Sequence, residues 1–500
     1  MKFSKILSVM LAILLLLSFV LVTSSCGKDK SEGDGSNDSN GVSDVTNADT
    51  SKETEIPELE VVDLDGKEII ILWPEIHADG HYIHNEIAVT ETKGDVIDMA
   101  VATRNAIVER RYNVKITAET KFISAIPKDN RTAALNGTTD CDAMVSTIKF
   151  MTTNAMEGLL TDYNALEHYD DSHTWWNHRL MEAFSIAGAR YFGTGDIIYS
   201  DDLYPYCTYV NTAVSDAARI DVDYYDLVKN KEWTLEKFHS LAKQAQTVTD
   251  FTANPDKWAD GETAGAVVNE NFARAAYYAA GKGLIEFNEQ GNPVWQMELS
   301  RTQNILERVI GIVHGDQACF NAGQFKNHAE IEVMSFNSNK TLFLVEELII
   351  SERITTTGAA ADFQILPFPL YEENSEYICV LNDSAIISIP LMVEDADEIC
   401  LVLSAMSRES MNTVTPAFFE TVLASRYMQD AGSVETLKII LDSTVPLDVA
   451  SVQDWGGFMT EFKRLAFANS TDFSSYYTGH IGEVEGEISN YIEMLKNYHS

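Results

Sequence analysis

The sequence predicts an α/β protein built as two lobes, and three observations carry that prediction. Short apolar runs alternate with segments of helical period where the folded part begins, which is the pattern of a mostly parallel sheet covered by helices on both faces. The folded part runs to roughly 440 residues, more than one core usually supports. The middle of the chain then turns predominantly helical, over Trp233 to Thr247, Asn271 to Ala280 and Thr302 to Val313, which implies a second, more helical lobe.

The elements follow in chain order. Lys2 and Lys5 give a positive start, Ile6 to Val22 are apolar, and the small residues Thr23, Ser24 and Ser25 precede Cys26. This is the layout of a bacterial lipoprotein signal over residues 1–26, with Cys26 as the lipidated residue. Residues 27–58 are Ser, Gly, Asp, Asn, Lys and Glu with almost nothing to bury, a solvated linker reaching on the order of 30 Å. Gly66 to Trp73 contains Ile69-Ile70-Ile71-Leu72, a run that suits a strand buried on both faces. Gly94 to Arg111 has helical spacing, with Val96, Met99, Ala100, Thr103, Ile107 and Val108 on one side, and Tyr112 to Ala118 alternates like a strand. A helix over Ile126 to Asn136 and a buried strand over Asp140 to Ser146 complete this unit. Arg190 to Phe192 is strand-like, as are Phe363 to Pro369 and Ile378 to Ile389. After Pro390 the chain is chiefly helical, including Glu483 to Asn497.

Composition removes several function classes. A formal charge of −40 repels phosphate backbones, so nucleic acid is not a partner, although the charge does not identify a solute. Cys141, Cys207, Cys319, Cys379 and Cys400 are odd in number and widely spaced, which reads as buried free thiols and not as a disulfide framework or zinc ribbon. His77, His81 and His84 lie close together, but Pro74 and Gly80 deny them a common helical face, so no metal site is read there, and no cofactor is expected. The chain has no nucleophile elbow, no phosphate-cradling glycine loop and no zinc-protease histidine pair. With seventy-six acids, carboxylate pairs arise by chance and do not mark a glycosidase.

Several segments resemble the extracellular solute-binding proteins of ABC importers, in particular a lipoprotein branch assigned to carbohydrate uptake. Gly94-Asp95-Val96-Ile97-Asp98, Arg104-Asn105 and Glu109-Arg110-Arg111-Tyr112-Asn113-Val114 are similar to the family's first helix and the strand it leads into. Asp226-Leu227-Val228 with Glu232-Trp233-Thr234-Leu235-Glu236-Lys237-Phe238 resembles its tryptophan-threonine helix start, and Thr234 is also well placed to cap that helix. Phe363 to Pro369 with Tyr371 and Tyr377 resembles the return crossing between lobes, with Phe368 and Asn374-Ser375 where relatives often carry tyrosine and glutamine. Phe418-Phe419-Glu420 through Tyr427 and Asp430, then the helix to Leu441, is similar to the C-terminal region. The resemblance implies a type 2 periplasmic-binding-protein-like fold whose chain crosses near Tyr204 to Asn211 and again near Phe363 to Pro369. The implied lobes are 59–205 plus 364–415, and 206–363 plus 416–500.

Ligands of open α/β sheets sit beyond the carboxyl ends of strands, which nominates Trp73 with Glu75, and Ser146 with Thr147. An aromatic beside a carboxylate suits a sugar's apolar face and its hydroxyls, although a tryptophan ending a strand is equally ordinary core. Trp176, or its neighbour Trp175, is a further candidate, with packing as its rival role. Asp201, Asp202, Tyr204 and Tyr206 gather at the implied first crossing, and Trp455 precedes Gly456-Gly457, where backbone can approach a solute closely. Trp233 reads as helix packing. Taken together, the sequence points to a monomeric, lipid-anchored receptor on the outer face of the cytoplasmic membrane. It captures a carbohydrate, a neutral oligosaccharide, by lobe closure and delivers it to the membrane subunits of an ABC permease. A secreted polysaccharide-degrading enzyme and a surface adhesion or scaffold lipoprotein are the alternatives.

Overall fold

Asp65 and Gly66, at φ 55° and 77°, turn the chain into the first strand, β1 (Lys67–Pro74). Ile69, Ile71 and Trp73 on one face and Leu72 on the other are almost completely buried, as a central strand requires. The computed structural model describes residues 57–75, 85–89, 92, 94–281, 283–356, 361–381, 383–418 and 431–498, and Glu60–Ser500 form one compact unit.

Helix α1 (Val96–Tyr112) is started by Asp95, whose carboxylate accepts the N–H groups of Ile97 and Asp98 at 2.8 and 3.1 Å. It ends at Asn113, in the left-handed conformation at φ 50°. Of the expected apolar stripe only Val108 is buried. Val96 and Met99 are 41% and 45% exposed, while Ile97, Val101, Arg104, Asn105, Val108 and Tyr112 face inward. The helix is rotated because the Ile87 carbonyl accepts from both Arg104 Nη2 and Asn105 Nδ2, at 2.6 and 2.8 Å, drawing two polar residues into the core.

β2 (Val114–Lys121), α2 (Ile126–Leu135), β3 (Ala143–Thr147) and α3 (Ile148–Met156) follow. β2 and β3 both pair with β1 in parallel. β3 is buried throughout, whereas β2, at the edge, buries mainly Val114 and Ile116. No strand forms at Arg190 to Phe192. The chain on either side of it makes only isolated bridges, Ile186 to Ala189, Gly193 to Ile387 and Trp176 to Gly195. Gly195 sits at φ 146°, and a Cβ there would lie 2.1 Å from the Trp175 carbonyl, so only glycine admits this close crossing.

A second sheet begins with β4 (Tyr206–Asn211). The chain continues through α4 (Leu235–Ala245), β5 (Ala264–Val268), α5 (Asn271–Ala279), α6 (Leu299–His314), β6 (Cys319–Asn321), α7 (His328–Asn337), β7 (Thr341–Glu347) and β8 (Phe363–Pro367). The strand order is β8-β4-β7-β5-β6, with β5 parallel to both β6 and β7, and β4 antiparallel to β7 and β8. Thr234 caps α4 through the Lys237 N–H at 3.2 Å, and the Trp233 indole donates to the Pro367 carbonyl at 2.9 Å, so Trp233 packs as expected.

The chain then returns through β9 (Cys379–Leu381) to β10 (Ala385–Ser388), which joins the first sheet antiparallel to β3 and completes the order β10-β3-β1-β2. α8 (Ala396–Ser410) packs on α1, and α9 (Ala431–Asp442) packs on β8. β11 (Thr444–Pro446) pairs with β9. α10 (Phe458–Phe467) and α11 (Phe473–Tyr498) close the helical side. The two visible passages between sheets run side by side, with Pro205 bridged to Leu381 and Leu348 and Ile349 donating to the carbonyls of Pro205 and Leu203. The five cysteines among the described residues are buried and free.

Candidate functional site

The carboxyl ends of the parallel strands hold the polar residues of interest. On the first sheet, β3 ends in Ser146 and Thr147, at most 5% exposed, and neither hydroxyl has a hydrogen-bond partner among the described residues. Thr147 holds the N-cap position of α3 without capping it. The next turn presents Lys149, a third exposed, with its Nζ 3.9 Å from Asp383 Oδ2. Burial holds Lys149 below the usual ammonium range, opposed by Asp383.

On the second sheet, β5 ends at Asn269, which is 4% exposed. Its amide nitrogen donates to Glu332 Oε1 at 3.1 Å and to a Glu346 carboxylate oxygen, while its Oδ1 accepts the Asn271 N–H at 2.9 Å. β7 ends in Glu346 and Glu347, both buried. Burial drives Glu346 well above the usual carboxylate range, reinforced by the negative neighbours Glu332 and Glu347. Arg274, in the first turn of α5, is 5% exposed and gives a hydrogen bond to Asn271 Oδ1 at 3.0 Å. Lys463 of α10 pairs with Glu270 at 2.8 Å. The two sheets meet electrostatically here, because Lys149 from the first senses Arg274, Glu347 and Lys463 from the second. A set of hydroxyls, amide, carboxyls and cations can bind a polyhydroxylated solute through many donors and acceptors. Among the described residues, no three His, Cys, Asp or Glu side chains are grouped to hold a metal.

Of the residues nominated from sequence, Thr147 stands at this network. Trp73 ends the adjoining strand with no exposure, and Glu75 beyond it is solvent-exposed, its N–H donating to the Lys121 carbonyl at 2.8 Å. Trp176 is 1% exposed in a cluster with Tyr163 and Tyr169, ring centroids 6.2 and 6.1 Å away. Trp175 stacks on His173 at 4.1 Å. Asp202 ends the short turn Tyr199–Asp202. The neighbouring Asp201 carboxylate accepts from Thr194 Oγ1 and Asn177 Nδ2 at 2.9 and 3.2 Å. Tyr204 is fully buried, and the Tyr206 hydroxyl reaches Asn269 Oδ1 at 3.4 Å, linking the first crossing to the network. Trp455 is 2% exposed, edge-on to Tyr491 at 6.2 Å. Cys26, His77, His81 and His84 lie outside the described residues. Sequence reasoning did not nominate Lys149, Asn269, Arg274, Glu346, Glu347 or Lys463. The one local signal was the acid pair Glu346-Glu347 closing the apolar run Leu342 to Val345.

No protein-family model and no curated protein sequence matches the chain. Solved structures do. An ABC substrate-binding protein from Listeria monocytogenes in complex with cycloalternan aligns over 85% of this chain and 99% of its own, with a TM-score of 0.55 and 14% identity. The maltose/maltodextrin-binding domain MalE from Bdellovibrio bacteriovorus bound to maltotriose aligns over 84% and 100%, with a TM-score of 0.54 and 13% identity. UgpB from Mycobacterium tuberculosis in complex with glycerophosphocholine aligns over 79% and 95%, with a TM-score of 0.53 and 14% identity. The chain thus has the two-lobed α/β fold of type 2 periplasmic-binding proteins.

Proposed function

We propose that this protein is the substrate-binding lipoprotein of an ABC importer and captures a carbohydrate, an oligosaccharide, between its lobes for delivery to a membrane permease. The observation that supports this most is the convergence of Thr147, Lys149, Asn269, Arg274 and the Glu346-Glu347 pair from two separate sheets, on a fold whose solved examples hold cycloalternan and maltotriose. One lobe comprises 59–205 with the return segment after Leu381 through 415, and the other 206–381 with 416–500. We place the second boundary near Leu381, and not at Phe363, because β8 pairs along its length with β4, Leu370 donates to the Trp233 carbonyl and β9 pairs with β11. Trp73, Glu75, Trp176, Asp202, Tyr204 and Trp455 are kept as further candidate contacts of the same ligand. The protein acts as a monomer, held to the outer face of the cytoplasmic membrane through lipidated Cys26, and Cys26→Ser is expected to move it from the membrane fraction to the medium.

The direct test is a thermal-shift panel of glycans and peptides. A ligand at a hundred times its dissociation constant adds about 2.7 kcal/mol of stability and raises the melting temperature accordingly. Stabilisation by peptides with none by glycans contradicts the carbohydrate assignment. The same incubations, scored for new reducing ends, separate a receptor, which returns its ligand unchanged, from a polysaccharide-degrading enzyme.

A further inference from the structure

Within a chain carrying 36 basic against 76 acidic residues, three cations lie together: Arg274 and Lys463 both donate to Asn271 Oδ1, at 3.0 and 3.4 Å, and both act electrostatically on Lys149. Lys149 lies in the first turn of α3, after β3, and Arg274 lies in the first turn of α5, after β5. Lys463 comes in from α10. Helix starts already present unpaired N–H groups and the positive end of the dipole, so a cation there is repelled locally unless an anion joins it. The neighbouring acids answer two of the three cations: Asp383 stands 3.9 Å from Lys149, and Glu270 stands 2.8 Å from Lys463. Arg274 has no ion pair among the described residues. Its one hydrogen bond there goes to the neutral Asn271 side chain, and its Nε is buried without a partner. The uncapped Thr147 hydroxyl at the start of α3 is a second buried polar group without a partner.

A guanidinium that is 95% out of water and lacks a carboxylate is costly, and its charge burdens its neighbours. After burial itself, Arg274 is the largest influence lowering Lys463, and it also lowers Lys149. Such an arrangement is relieved by an incoming anion. Glu347, also within reach of Lys149, limits how much negative charge the site can take, which favours a single anionic group over a polyanion.

We propose that Arg274, together with Lys149 and Lys463, forms a subsite for one anionic oxygen group on the bound carbohydrate, either a uronate carboxylate or a sulfate ester, with the Thr147 hydroxyl as an added donor. This rests on the carbohydrate reading above and refines it, replacing the neutral cargo expected from sequence with an acidic one.

The test uses the full chain and matched ligand pairs: a galacturonate oligosaccharide against its carboxyl-reduced form, and a sulfated oligosaccharide against its desulfated form. Whichever acidic member binds identifies the source of the charge, and it is expected to bind about tenfold or more tighter than its neutral partner, equivalent to about 1.4 kcal/mol. Added salt should narrow that gap. Arg274→Gln should reduce it to below about threefold, and so should Lys149→Met, whose partly exposed side chain makes misfolding an unlikely confounder. Equal binding of acidic and neutral partners overturns the subsite and leaves the carbohydrate reading standing. If no glycan binds, inorganic sulfate is the remaining probe. Sulfate that raises the melting temperature of the wild-type chain but not of Arg274→Gln keeps the subsite and removes the carbohydrate reading, whereas no Arg274-dependent effect removes both.

Discussion

At the scale of single residues, the buried charges set the constraints. Arg104 is completely enclosed, and it ties Ile87, Ser410 and its neighbour Asn105 together through hydrogen bonds of 2.6, 3.3 and 2.9 Å. Close by, Glu86 is 2% exposed and accepts the Ser200 N–H at 3.2 Å. Burial pushes Glu86 up to about 8 despite that bond, and Glu352 adds to the rise. The folded form therefore keeps a proton on Glu86 that the unfolded form has released, so this group's contribution to stability is complete below about pH 4.5 and is lost as the pH rises through about 8. Glu86→Gln, which mimics the neutral acid, should be the more stable protein at pH 8 and should show a flatter urea midpoint between pH 5 and 8 than the parent. Parallel profiles for the two proteins would show that Glu86 is ionised in the fold. None of this was visible in the sequence, where Arg104 and Asn105 look like solvent-facing helix residues. The same holds for Lys149 and Arg274, which only the pairing of distant strands brings within electrostatic reach. Thr147 was legible because the strand-end rule needs only a strand and its direction.

At the scale of elements, legibility followed the length and branching of apolar runs. β1, β3 and β8 are runs of large or β-branched residues and stood out, and α1, α4 and α5 stood out by helical spacing, α4 also by its Thr234 cap. The core strands of the second sheet did not. β5 is Ala-Gly-Ala-Val-Val, too small in side chains to signal a strand, and the reason is its packing. α4 lies so close that a Cβ on Gly265 would sit 2.1 Å from the Ala242 carbonyl oxygen. Gly265→Ala must push α4 away from the sheet, and overpacking of this kind costs about 1–3 kcal/mol, measurable as a lower denaturant midpoint. An unchanged midpoint would mean the helix is not seated on that strand. β7 was obscured differently, since its apolar run ends in Glu346 and Glu347 and so looks amphipathic, although all seven residues are buried. α1 shows the limit of apolar periodicity, because its buried face is chosen partly by hydrogen bonds to Ile87.

At the scale of the whole molecule, two sheets joined by adjacent passages near Pro205 and Leu381, the first bonded to Leu348, give the architecture of a hinge. Length and the alternation of strands and helices were enough to expect two lobes, but not to show that β8 pairs with β4 and β9 with β11. A few kcal/mol of differential affinity suffices to shift such a molecule between open and closed populations. The account stands or falls on that closure. Small-angle X-ray scattering of the protein, alone and saturated with a glycan that stabilises it, tests this most directly: the radius of gyration should fall on binding, and a bound protein with the scattering profile of the free one would contradict the account.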